Sequence, residues 1–229
     1  MRSPETGGNE WVSVSDLMSG LMLVFLALTI FYMRKVQDTV QDLTKQKEEV
    51  ELVSSQYLDV REDLARDLEE SLGTELVEWN ATFDRARLAI VFVNDGRSYF
   101  APGSATPSSL FKDRLDQFFP KYVKVLERHK ANITEVRIEG HTDPHWDGPD
   151  PYIGNMKLSQ GRARNVLAYV LPMPSVQGNW GWLEPVLTAN GLSFSQALPD
   201  DAASRRVEFR ILTDAAASLD DIRLILEDE

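Results

Sequence analysis

The chain has 229 residues, 43% of them apolar and 26% charged, with a formal net charge of -12 and no cysteine. That length holds one membrane span and one soluble domain of ordinary size, not two. The acidic balance argues against nucleic acid or anionic lipid as the main partner, and the missing cysteines exclude disulfides, thiolate metal sites, cysteine nucleophiles and a lipidated N-terminal cysteine.

Residues 1–10, MRSPETGGNE, set Arg2 against Glu5 and Glu10, which is not the basic start of a signal peptide. The pattern over 11–33 predicts a retained transmembrane helix, bounded by Trp11 and Tyr32 as interfacial aromatics and charged only at Asp16. A charge at mid-span costs about 2.5–3.5 kcal/mol. Asp16 lies about 9 Å short of the midpoint, at about 1.5 Å per residue, which reduces that cost without removing it. Ser13, Gly20 and Ala27 share its face at helical steps, and small residues there permit close helix packing. Leu21, Val24, Phe25 and Leu28 form the bulky opposite face. The competing reading makes Asp16 a frayed helix start, with the span beginning at Leu17. Arg34 and Lys35 follow the span, and the positive-inside rule would set that side in the cytoplasm.

From 34 to 81 the chain is charged and proline-free, with Val36, Val40, Leu43, Val50, Tyr57, Leu64 and Leu68 in a three-four rhythm. Lys47, Ser54 and Arg61 interrupt the stripe, so a solvated spacer helix and a parallel dimeric coiled-coil stalk both remain open. Over about 45 residues such a helix would reach roughly 65–70 Å and hold the last domain away from the membrane.

The globular domain is expected over 82–215. RLAIVFVN at 87–94 alternates like a strand, and Pro107 precedes an amphipathic helix carrying Phe111, Leu115, Phe118, Tyr122 and Leu126. A strand at 133–139 ends in GHTD, a helix is expected from Asn155 to Leu171, and strands follow at 186–194 and 206–212, with an insertion at 174–187 between. This alternation predicts an α+β sandwich of one sheet and a helical layer. The last residues, 216–229, read as an acidic tail. His141, Asp143, His145 and Asp147 offer a rival metal-site reading, which Pro144 weakens by breaking the alternation. No P-loop, nucleophile elbow or HExxH motif occurs, so the chain offers no catalytic site and is not read as an enzyme.

IEGHTD at 138–143, Asn155, LSQGRARNVLAYV at 158–170 and RRVEF at 205–209 resemble the signature of the OmpA-like peptidoglycan-binding domain. That resemblance implies that Asp143 and Arg162 bind the amine and carboxylate of diaminopimelate in the wall peptide, with Asn155 and Leu158 at the pocket edge and Arg205 and Arg206 closing it. One carboxylate and one guanidinium suit a zwitterionic centre. Ser204 departs from the family's usual Asn, as do the loop 144–154 and the insertion.

WVSVSDLMSGLMLVFLALTI at 11–30 is similar to the span of stator B-subunits, and within them to the ZorB family of the Zorya antiphage defence system. This resemblance implies an inner-membrane protein with residues 1–10 in the cytoplasm and the domain in the periplasm. It also implies a homodimer within a pentamer of a ZorA-like partner, with peptidoglycan as the anchor. Asp16 would carry a proton, with sodium as the alternative ion, helped by Ser13, Ser15 and Ser19; no resident cofactor is implied. A flagellar-type MotB stator and a structural tether without ion flow are the alternative functions.

Overall fold

The computed structural model describes residues 8–93 and 99–214. Residues 1–7, 94–98 and 215–229, which include most of the tail expected at 1–10 and all of that expected at 216–229, lie outside the described residues. The chain divides into two compact units near residue 52.

The first unit is helical. Helix α1, Gly8–Glu78, begins there and runs on into the second unit. No proline occurs between its ends, and Gly20 and Gly73 are its interior glycines, so nothing in the backbone stops it. Within it, Val14–Leu52 is long and apolar enough to cross a membrane, and none of that window is buried inside the protein. Asp16 stands two turns inside the helix and so does not mark the helix start.

The second unit has one mixed sheet of five strands. Its strands are β1 (Ala81–Asp84), β2 (Ala89–Val93), β3 (Ile133–Gly140), β4 (Leu187–Gly191) and β5 (Arg206–Thr213), in the order β1-β2-β5-β3-β4. All neighbours are antiparallel except the β3/β4 pair. The helices are α2 (Ser109–Arg128), α3 (Pro151–Val170) and the short α4 (Trp180–Val186) and α5 (Asp201–Ser204). Strand β1 escaped the sequence reading because four residues are too few for a period of two to show. The insertion folds into a 3₁₀ turn, Pro174–Asn179, followed by α4.

One face of the sheet carries the apolar core. Ile90 and Ile138 flank Phe209 in register, and Phe92 and Gly140 flank Val207. Phe209 meets Phe118 at 5.0 Å and Tyr122 at 5.9 Å, both edge-on. Such pairs add about 0.5–1.5 kcal/mol each beyond their buried area. Ser108 caps α2 by accepting a hydrogen bond from the Phe111 N–H at 3.2 Å, a contribution of about 1 kcal/mol.

The domain begins earlier than residue 82. Leu64, Leu68, Leu72 and Leu76, one turn apart along α1, are buried in the same core, and Trp79 meets Phe118 at 5.7 Å. The stripe that reads as a stalk seam in sequence is, at its C-terminal end, a core-facing stripe, because α2 supplies the apolar partner that a second stalk helix would otherwise provide. Ion pairs from Glu62 and Glu69 to Arg85, and from Glu75 to Lys121, pin this part of α1 to the β1–β2 hairpin and to α2. Asn80, at φ 54°, then ends the helical path in the left-handed conformation that asparagine tolerates.

Candidate functional site

Two glycines bring α3 down onto the sheet. A Cβ at Gly140 would stand 2.3 Å from the Ser159 carbonyl oxygen, and one at Gly191 would stand 2.3 Å from the Gln160 nitrogen. Only with both side chains missing do the ends of β3 and β4 pass directly under α3. The chain leaving β3 then carries Thr142 and Asp143 past the face of α3 that presents Asn155, Leu158 and Arg162. Phe100, Pro102 and Gly103 close the opposite wall, and Arg205 enters just before β5. Together they line an open cleft of about 610 Å³.

Asp143 and Arg162 bring opposite charges to it. Asp143 Oδ2 pairs with Arg205 Nη1 at 2.5 Å, and its Oδ1 accepts from the His145 N–H at 3.0 Å. Arg162, only 6% exposed, donates from Nε to the Ser104 carbonyl at 3.0 Å and lies 5.0 Å over the Phe100 ring. No carboxylate among the described residues is within ion-pair distance of it. Burial pushes its pKa down to about 10, against the attraction of Asp143 and with the repulsion of Arg205. A guanidinium held largely dry against one carbonyl and one ring face favours an anionic partner. Asn155 Nδ2 donates to the His145 carbonyl at 3.3 Å and fixes the loop, while Leu158 is half-buried at the cleft edge.

Arg206 is not in this cleft. On an extended chain neighbouring side chains face opposite ways, so Arg205 turns to Asp143 while Arg206 bonds Glu208 Oε1 from Nε at 2.6 Å and the Gln196 carbonyl at 3.3 Å. The expected pair of closing arginines therefore splits into one site residue and one support. Ser204 is buried and ties the preceding loop together, accepting from Leu198 N–H at 2.8 Å and donating to the Asp200 carbonyl at 3.1 Å. The departure from asparagine thus serves the loop rather than the cleft.

On the sheet face opposite the core, Glu139, His141 and Glu208 bring potential ligand atoms within 4.8 Å of one another, all buried. Arg87 lies 2.8 Å from Glu208 and 3.5 Å from Glu139, Arg210 lies 3.8 Å from Glu139, and Arg206 holds the remaining Glu208 oxygen. Three guanidiniums already outweigh two carboxylates, and a metal ion would add like charge. Burial first, then Arg206, lowers His141 to a pKa of about 4, so the imidazole is neutral. The sequence-level set His141, Asp143, His145 and Asp147 does not converge either. His141 faces this network, and Asp143 faces the cleft.

In the first unit, Asp16 is exposed on α1. Ser19 donates to the Ser15 carbonyl at 2.8 Å, bonding its own backbone and not the carboxylate. The Ser13 side chain lies outside the described residues. An added Cβ at Gly20 would meet nothing within 4 Å, so that face of the helix is open to a neighbour.

No protein-family model matches the chain. It is 37% identical over 215 residues to the Zorya protein ZorB of the Escherichia coli Crooks strain, a match that spans 90% of this chain and 88% of that protein. The chain belongs to the ZorB family. A Zorya protein ZorB from a second Escherichia coli strain is 27% identical, across 92% of this chain and 82% of its own length. Matches of that extent cannot be confined to the globular domain, so ZorB membership describes the helix and the domain together.

Among solved structures, the cell wall anchor of the T6SS from Pseudomonas aeruginosa aligns with 64% of this chain and 97% of its own, at 22% identity and a TM-score of 0.46. A putative MotB like protein from Desulfovibrio vulgaris aligns with 69% of this chain and 93% of its own, at 22% identity and a TM-score of 0.48. Both scores fall below 0.5, and the ZorB assignment rests on the curated relatives alone.

Sequence reasoning missed three parts of the ZorB cleft. Phe100 and the Ser104 carbonyl, which hold Arg162, come from a loop that carries turn chemistry and no recognisable motif. Thr142, whose Oγ1 is buried and without a hydrogen-bond partner among the described residues, lines the site from inside the GHTD motif, where a signal was available. Trp146 stands at the rim in the loop that departs from the family pattern.

Proposed function

We propose that this protein is the ion-carrying, wall-anchored subunit of an antiphage membrane motor. Arg162 carries the anchoring half of this reading. A buried guanidinium with no carboxylate partner among the described residues, set beside Asp143 in an open cleft, suits a ligand that brings one carboxylate and one amine. The amino-acid centre of diaminopimelate in a peptidoglycan stem peptide has that pair of groups. Its carboxylate takes Arg162, and its amine competes with Arg205 for Asp143.

ZorB membership and the apolar helix around Asp16 support the membrane half. Two copies sit within a ZorA-like pentamer, with residues 1–10 in the cytoplasm and the domain in the periplasm. Asp16 takes up a proton from the periplasmic side, crosses as the neutral acid and releases it inside. Each charge moved through 100 mV supplies about 2.3 kcal/mol, enough to drive a step between two packings that differ by a few kcal/mol. The wall contact gives that step something to push against. No residue makes or breaks a covalent bond other than to the proton.

The test is sedimentation of the detergent-solubilised full chain with isolated peptidoglycan sacculi. Wild type is expected to sediment with them, while Arg162→Ala and Asp143→Ala stay in solution with unchanged circular dichroism; sedimentation of both variants at the wild-type level would overturn the anchor.

A further inference from the structure

His145 stands at the rim of the cleft, in the loop 144–154, and its backbone is held from two sides. Its N–H donates to Asp143 Oδ1 at 3.0 Å, and its carbonyl accepts from Asn155 Nδ2 at 3.3 Å. The imidazole is thereby set between two carboxylates. Its Nδ1 lies 3.6 Å from Asp143 Oδ1 and 3.6 Å from Oδ2 of Asp201, the first residue of α5. Helix α5 leads straight into Arg205, whose N–H donates to the Asp201 carbonyl at 3.2 Å and whose guanidinium holds Asp143 Oδ2 at 2.5 Å. Asp143, His145, Asp201 and Arg205 therefore close a ring of charges that joins the loop after β3 to the segment before β5.

Imidazole is the side chain whose ordinary titration changes its charge between pH 5 and 8. The chain has three histidines, and His145 is the one that lines the cleft. His141, at a pKa of about 4, stays neutral through that range, and His129 Nε2 meets Asp67 Oδ2 at 2.7 Å between α2 and α1. Asp147 and Arg162 also line the cleft, and neither pairs with the His145 ring. A neutral ring leaves Asp143 Oδ1 to one backbone N–H and to an entering amine. A protonated ring puts a cation beside that oxygen while Arg205 holds the other, so an amine must displace positive charge at either one. The same cation attracts Asp201 and so draws the loop toward α5, which keeps Arg205 seated on Asp143.

We propose that His145 is a pH-sensitive gate on the cleft: once protonated, it ties Asp143 to Asp201 and weakens capture of the ligand's amine, so the anchor loosens its grip as its surroundings acidify. This rests on the wall-peptide reading of Asp143 and Arg162. His145 acts through Asp143 and is a positioning residue.

Calorimetric titration of the solubilised full chain with a diaminopimelate-containing stem tetrapeptide at pH 7.5, 6.5 and 5.5 tests this. Exposed ion pairs are weak, so wild type should bind about threefold more weakly at pH 5.5 than at pH 7.5. His145→Gln keeps both backbone contacts and should hold the pH 7.5 affinity throughout, while His145→Lys, a permanent cation, should bind at the weaker level throughout. A flat wild-type profile overturns the gate and leaves the peptide site standing. An equal fall in His145→Gln, or full pH 7.5 affinity in His145→Lys, overturns it as well, since the imidazole charge would then not govern binding. Failure of wild type to bind at any of the three pH values overturns the wall-peptide reading and the gate with it.

Discussion

His141 shows how one side chain can tie stability to pH without touching a ligand. It is 1% exposed, with Glu139 and Glu208 facing it from β3 and β5 and Arg206 and Arg87 adding positive charge. Its pKa of about 4 in the folded protein lies below the ordinary imidazole value of 6.5. The unfolded chain therefore binds more protons between those two values, and stability falls as pH drops through that window. The contribution approaches about 3 kcal/mol at its full extent, at about 1.36 kcal/mol per unit, and the raised pKa of Glu139 offsets part of it below its own titration. Chemical denaturation of the full chain at pH 7, 5.5 and 4.5 should show falling stability, with a shallower slope for His141→Gln. An equal slope in the variant would assign the acid sensitivity to other groups. Arg162 is the second buried base of this kind, but its depressed pKa stays far above neutrality, so its charge is available to a ligand throughout the physiological range.

At the scale of elements, the seating of α3 on the sheet decides whether a cleft exists. Gly140→Ala would force a methyl group to within 2.3 Å of a backbone oxygen that cannot rotate away. Overpacking of this type costs about 1–3 kcal/mol. The expected signature is a lowered Tm together with weakened peptide binding, because α3 carries Asn155, Leu158 and Arg162 as one body. A lowered Tm with full binding would show that the helix shifts without disturbing the site. The end of α1 is a structural element of the domain by the same measure. Leu68 is 1% exposed among core residues, and Leu68→Ala should destabilise the domain by about 2–5 kcal/mol, read as a shift of the denaturation midpoint. A stalk residue in contact only with solvent would shift it by less than about 0.5 kcal/mol.

For the whole molecule, the fold boundary and the functional boundary fall in different places. A fragment covering 82–229 lacks Leu64, Leu68, Leu72, Leu76 and Trp79 from its core and should expose apolar surface and aggregate. A fragment covering 53–229 keeps them and should give a cooperative unfolding transition. Soluble, cooperative folding of the shorter fragment would make the α1 contacts dispensable. Across the full chain, Asp16→Asn at matched protein levels should abolish protection against phage while leaving sedimentation with sacculi intact, since ion transfer and wall anchoring use separate residues. Equal protection by the variant would favour a structural tether without ion flow.

Hydrophobic periodicity, one charge inside an apolar run and short motifs were enough to place the apolar helix, the main strands and helices, Asp143 and Arg162, because each is written in residues close together along the chain. The extent of the domain was not, since the apolar stripe on α1 looks the same whether its partner is a second stalk or α2. Nor was the separation of Arg205 from Arg206, which depends on which side of β5 faces the cleft, or the recruitment of Phe100, Ser104 and Trp146, which lie on loops far from Arg162 in sequence. Packing alone decided these, because Gly140, whose role in the GHTD motif is not written locally, and Gly191, which lies in no motif, let α3 approach the sheet and so chose which distant side chains meet.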